Sequence, residues 1–150
     1  MRVVIQRVKS AEVEVQSHYQ AKIDEGLLIF LGIENEDTQE DIDWLVRKIS
    51  NMRLFADDDQ KMNLSLLDTG YEAMVISQFT LHASTKKGNR PSFIKAGKPE
   101  MAEPLYENFI LKISETLNQK VKTGVFGGDM QVTLINDGPV TIFMDSKEKY

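Results

Sequence analysis

Four consecutive apolar residues, Ala73-Met74-Val75-Ile76, run straight into a polar segment, Ser77-Gln78-Phe79-Thr80-Leu81. A short apolar run of this kind reads as a buried strand. It ends where two hydroxyls and an amide meet a stretch rich in Gly and Lys. The constraint is double: a core has to enclose the run, and the backbone at its polar end is held while one side stays open to a ligand. Leu27-Leu28-Ile29-Phe30-Leu31 demands burial in the same way. Far along the chain, Asn136-Asp137-Gly138-Pro139-Val140-Thr141 sets a Gly-Pro pair between two further strand-like runs. Alone, Asp137-Gly138-Pro139 is an ordinary turn signal.

The remaining elements fit around these runs. Arg2–Val8 is β-branched and strand-like, and Ala11, Val13 and Val15 alternate with Glu12, Glu14 and Gln16 as a half-buried strand does. Ser17–Gln20 reads as a polar turn, Ala21–Asp24 as a short strand and Glu25-Gly26 as a tight turn, so the chain opens as an antiparallel meander. A helix follows, capped by Asp37 or Thr38, with Ile42, Leu45, Val46, Ile49 and Met52 on one stripe. Trp44 falls off that stripe and reads as a partly buried flank residue. A second helix is expected over roughly Pro104–Lys122, on a row of Leu105, Phe109, Ile113 and Leu117, with Gly124 as its stop; a start near Pro99 stays open, because Pro104 would break the ladder there. Then come a strand over Met130–Ile135, a turn at Asp137-Gly138, a strand over Val140–Met144 and a frayed polar tail, Ser146–Tyr150. Many strands with two long helices imply stacked sheets under one helical layer. At 150 residues and 41% apolar content, residues 1–150 form one domain.

Charge narrows the function. A net charge of −5 argues against an indiscriminate nucleic-acid binder. Yet Lys86, Lys87, Arg90, Lys95 and Lys98 lie between Ala83 and Pro99 with no acid among them. That run reads either as a solvated face or as a loop holding phosphates beside Ser77–Leu81. With no Cys, no signal peptide and no apolar run near the ~20 residues that cross a bilayer, a cytoplasmic protein without a membrane contact is expected. Asp57-Asp58-Asp59 lacks the alternation of a calcium loop, and His18 and His82 are far apart in sequence, so no metal is expected. A serine hydrolase would need a base for Ser77 or Thr80. His82, two residues from Thr80, is the nearest candidate, but no G-x-S-x-G elbow accompanies it.

Taken together, Met1–Val8, Ser77–Leu81, Lys87-Gly88-Asn89-Arg90-Pro91-Ser92-Phe93, Thr123-Gly124-Val125-Phe126-Gly127-Gly128-Asp129-Met130 and Asn136–Thr141 resemble the D-aminoacyl-tRNA deacylases, also called D-tyrosyl-tRNA deacylases. The match spans nearly the whole chain in order; Gly128 departs from the expected Ala. The resemblance implies an α/β fold: a three-layer β/β/α sandwich with mixed, largely antiparallel sheets and two main helices. It implies a homodimer, without cofactor or metal, that hydrolyses the ester of D-aminoacyl-tRNA, and glycyl-tRNA as a second substrate. Ser77, Gln78, Phe79 and Thr80 would form the catalytic wall. Gly138 and Pro139, joined by a cis bond and inserted from the other subunit, would select chirality, with Phe126 and Met130 beside them. Lys86, Lys87 and Arg90 would contact tRNA phosphates. The rival classes are a small-molecule Ser/Thr esterase and a non-catalytic RNA-binding module.

Overall fold

The computed structural model describes residues 1–16 and 18–149. Ser17 of the expected turn and Tyr150 of the expected tail lie outside them. Strand β1 (Arg2–Val15) is the spine. One of its edges is hydrogen-bonded along nearly its whole length to β8 (Met130–Asp145), antiparallel. The other edge is shared: Arg2–Val8 pairs β3 (Gly26–Gly32), and Ala11–Val15 pairs β2 (Tyr19–Ile23). Beyond β3 the sheet turns parallel, through β6 (Glu72–Ser77) to the short β7 (Lys122–Thr123). These six strands form one sheet; β4 (Phe55–Ala56) and β5 (Met62–Leu64) make a separate pair.

The side chains of β3 and β6 alternate between two cores, which makes the layers. Leu27, Ile29, Leu31, Ala73 and Val75 pack with α1 (Gln39–Asn51) and α3 (Pro99–Leu117). Leu28, Met74 and Ile76 pack with Val8, Ala11, Val13, Val15, Ala21 and Ile23. The outer half of β1 with β2 thus lies over one face of β3–β6 and the helices over the other, a β/β/α sandwich. Phe109 and Ile113 of α3 are fully buried, each contributing roughly 1.5–3 kcal/mol. The short α2 (Leu66–Thr69) precedes β6.

Four local expectations need correction. Arg2–Val8 and Ala11–Val15 are one strand, with register shifts near Arg7 and Lys9 rather than a break. The last two expected strands are also one: Asn136 pairs near Val8 and Thr141 with Gln6, so Asp137–Val140 is extruded without reversing the chain. The extrusion has its own partners. Asn136 Nδ2 donates to the carbonyls of Arg7 (3.2 Å) and Val140 (3.0 Å), and Arg7 Nε donates to Asp137 O at 3.1 Å. The Gly138–Pro139 bond within it is cis.

The second helix starts at Pro99 and ends at Leu117, not over Pro104–Lys122. Pro99 occupies the first helical position, where no donor is missed. Pro104 and Glu100, whose carbonyl it cannot reach, are both exposed, so the missing helical bond falls on the solvent side. Asn118, with φ 50°, supplies the left-handed stop ahead of Gly124. Thr38 is the cap of α1, its N–H donating to Asp41 Oδ2 at 2.8 Å. Trp44 is partly buried, with Lys48 and Lys149 Nζ at 5.9 and 5.2 Å from its ring.

The tail is not frayed where it begins. Ser146 is buried, accepts from the Met1 amine at 3.0 Å and donates to Asp41 at 2.6 Å. Burial alone would raise the Asp41 pKa, but hydrogen bonds from Lys147, Ser146 and Thr38 outweigh it and hold the carboxylate down at about 2.

Candidate active site

Strand β6 stops being buried at Ser77, where the apolar run gives out. Gln78 N donates to Leu31 O at 2.8 Å, and the chain then tightens into a 3-10 turn over Phe79–His82. The turn can lie this close to β3 because residue 32 is Gly. A Cβ there would stand 2.9 Å from both Gln78 O and Leu81 Cβ.

A cavity of about 580 Å³ opens at this strand end. Ser77, Gln78 and Phe79 form one wall; Phe126, Asp129 and Met130 form another. Ile33, Gly97 and Pro99, where the chain enters α3, line a third side. Gly124 lets the two main walls approach, since a Cβ at that position would collide with Met130 Sδ. Behind Phe126 lies Tyr106, its ring centroid 5.6 Å away and its hydroxyl donating to Val75 O at 2.9 Å. Burial pushes the Tyr106 pKa up, so this phenol stays a neutral structural donor.

Of the residues singled out from the sequence, Ser77, Gln78, Phe79, Phe126 and Met130 come together here. Thr80 is exposed beside the wall, its hydroxyl accepting from Gln78 Nε2. His82 does not serve it as a base: the imidazole is buried, and neither ring nitrogen has a hydrogen-bond partner. Lys86, Lys87 and Arg90 are exposed on the following loop and do not line the cavity. That loop is tied to the wall, because Phe93 meets Phe79 edge-on at 5.1 Å. Gly138 and Pro139 are exposed on the β8 extrusion and are not among the lining residues either.

Sequence reading missed Asp129, the one charged side chain among the lining residues, and the start of α3. The first carries no pattern beyond its neighbours in the Thr123–Met130 stretch. The second was obscured by Pro104, which left the helix start open between Pro99 and Pro104. Gly128, which departs from the expected Ala, lines the cavity; a Cβ there would stand 3.2 Å from Val125 O and Val15 Cγ1.

The comparisons with known proteins agree with one another. The family profile described as D-Tyr-tRNA(Tyr) deacylase matches residues 4–145. A D-aminoacyl-tRNA deacylase of Christiangramia forsetii is 63% identical over 149 residues, covering 99% of both chains. One of Flavobacterium johnsoniae is 57% identical over the same length and coverage. Among solved structures, one named c-Myc DNA Unwinding Element Binding Protein superposes with a TM-score of 0.91 at 42% identity, over 97% of this chain and 98% of that one. Another, presented as "a probable eukaryotic D-amino acid tRNA deacylase", shares the fold with a TM-score of 0.83 at 15% identity, over 95% and 97%. With a profile match across nearly the whole chain and relatives this close in sequence, the chain belongs to the D-Tyr-tRNA(Tyr) deacylase family.

Proposed function

We propose that this cavity hydrolyses the ester linking a D-amino acid to the terminal adenosine of tRNA, in a cytoplasmic homodimer. The observation that carries the reading is that Ser77-Gln78-Phe79 and Phe126–Met130, far apart in sequence, wall one cavity with no base beside Ser77 or Thr80 among the described hydrogen bonds. An ester is already activated, so water attacks it if the developing oxyanion meets donors aimed in advance. The backbone N–H groups of Phe79 and Thr80, at the start of the turn, supply them. The ribose 2′-hydroxyl of the substrate assists proton transfer in place of a protein base. Phe79 and Gln78 offer the stacking face and amide by which unpaired bases are held. The exposed Gly138–Pro139 segment of a second copy completes the site, its main-chain carbonyls taking the α-amino group and leaving an L side chain no room. Glycine, lacking that side chain, is accepted as a second substrate.

D-Tyr-tRNA and L-Tyr-tRNA incubated side by side test this directly. Only the D form is expected to be deacylated, and equal hydrolysis of both, or of neither, removes the proposal. Thr80→Val is expected to remain within about tenfold of the parent, because shape survives and only a hydroxyl goes; a loss on the order of 10⁴-fold would mean an essential nucleophile. A tRNA ending in 2′-deoxyadenosine should turn over poorly, and unimpaired turnover would count against the substrate-assisted route.

The basic loop adds tRNA affinity, since phosphate contacts position without specifying. Replacing Lys86 and Lys87 together with Ala should lower the slope of log affinity against log salt by roughly one to two. Duplex DNA is the control ligand, a relative being named for binding DNA. An unchanged tRNA slope would return these lysines to a solvated face.

A further inference from the structure

His82 ends the site turn at 2% exposure, yet both of its ring nitrogens lack a hydrogen-bond partner. Buried polar atoms are nearly always paired, so an unpaired imidazole calls for a reason. The ring is packed against β3: a Cβ on Gly32 would stand 3.2 Å from His82 Cδ2. Arg2, at the start of β1, holds the same turn by another route. Its Nη1 donates to Leu81 O at 3.1 Å while its Nε is engaged by Asp145 Oδ2 at 2.7 Å. The turn therefore has two supports, a charged clamp on Leu81 and an uncharged ring against Gly32. Gln78 and Phe79, which line the cavity, immediately precede them.

We propose that His82 is a positioning residue for deacylation: its neutral imidazole seats the turn that carries Gln78–Thr80, and protonation unseats the turn and disables the site. The proposal rests on the reading of this cavity as the deacylase site. An unpartnered ring suits the task because a neutral imidazole at this position behaves as an apolar wedge, while an imidazolium has two donors and, with only the Gly32 backbone nearby, no acceptor in hydrogen-bond geometry.

The charged surroundings fit. Burial holds the His82 pKa below its ordinary value of 6.5. The Gly32 backbone and Glu34, beyond β3, favour the charged ring, but Gly32 meets neither nitrogen in hydrogen-bond geometry. The Met1 amine and Arg2 disfavour it, and Asp145 on β8 is taken up by Arg2. With a folded-state value below that of the unfolded chain, the His82 contribution to stability is complete above the unfolded value. It is lost as the pH falls from there through the folded-state value.

The test is the pH profile of kcat and KM for D-Tyr-tRNA between pH 7.5 and 5, in the parent and in His82→Leu. Amide hydrogen exchange of residues 78–83 is followed over the same range. Leucine fills a similar space and has no nitrogen to protonate. Parent kcat should fall about tenfold per pH unit below the folded-state value, with the protection of the turn against exchange, relative to the intrinsic amide rate at each pH, falling in step. In His82→Leu both kcat and the protection of the turn, exchange being taken relative to the intrinsic amide rate at each pH, should be flat with pH, whatever the absolute rate. A fall that persists undiminished in the variant, or no fall in the parent, overturns the proposal. Should leucine prevent folding, His82→Met carries the same comparison. Because exchange needs no substrate, acid-linked opening without deacylation refutes the deacylase reading alone. Deacylation without acid-linked opening refutes the positioning role alone.

Discussion

Replacing Gly138 with alanine is expected to slow deacylation of D-Tyr-tRNA by about a hundredfold or more, while the protein melts roughly 2–12 °C earlier. The residue has φ +133°, a region that side chains rarely tolerate. A Cβ would stand 2.9 Å from Val140 Cγ2 and 3.0 Å from Arg7 Nη2. Arg7 is not free to yield: Nη1 donates to Leu54 O at 2.5 Å, and Nε is 3.3 Å from Asp137 Oδ2 besides its bond to Asp137 O. The extrusion itself has to move. Strain of this kind costs about 1–3 kcal/mol, or roughly 2–4 °C per kcal/mol at this size. The functional effect is larger if the extrusion completes the site of a second copy as proposed, because displacing a group of a site by about 1 Å costs on the order of 10²-fold. Single-turnover rates and a thermal melt measure the two effects separately. A variant with full activity would place the extrusion outside the site.

Asp37→Ala is expected to destabilise the fold by about 3–5 kcal/mol, read from the urea midpoint at neutral pH. The Met1 amine is fully buried and lies 2.5 Å from Asp37 Oδ1, also buried, while Asp37 Oδ2 accepts from Glu34 N at 2.8 Å. Removing the carboxylate strands a buried cation, with Glu34 at 3.7 Å the nearest replacement. Neighbouring Asp41 adds a pH signature. Its carboxyl is held at about 2 against an ordinary 3.8, so its contribution is present above pH 3.8 and lost as the pH falls through 2. Asp41→Asn should therefore cost roughly 2 kcal/mol at pH 7 and progressively less below pH 4. An Asp37→Ala protein as stable as its parent would show that the amine finds water instead.

Which elements were legible depended on whether one period ran without interruption. The α1 stripe of Ile42, Leu45, Val46 and Ile49 is unbroken and all four are buried in the helix-side core, while Met52, the fifth expected member, is the extended C-cap and only partly buried. The runs at Leu27–Leu31 and Ala73–Ile76 announced their burial, which only the half-buried Phe30 escapes. Legibility failed where a local signal was overruled from a distance. Asn136-Asp137-Gly138-Pro139 has the composition of a reversal, but pairing with β1 on both sides keeps the chain going forward. Phe79-Thr80-Leu81-His82 carries no Gly, Pro or Asn to signal a turn, yet Arg2 and Gly32 meet it as a tight turn. Ser146 looked free because its partners, Met1 and Asp41, are remote in sequence. At the site, the wall from Ser77 to Phe79 could be read because a buried strand ends there. Asp129 and the entry to α3 could not, since only the tertiary fold brings them to the cavity.

The pairing of β1 with β8 also bears on how the protein is made. The strand synthesised first is central to the sheet, and the partner for one of its long edges is synthesised last. Until β8 has left the ribosome, β1 carries a row of unsatisfied backbone groups along that edge, a template for another nascent chain. The domain therefore completes its sheet only once β8 has emerged, and a chain halted before β8 keeps that edge of β1 open to another strand.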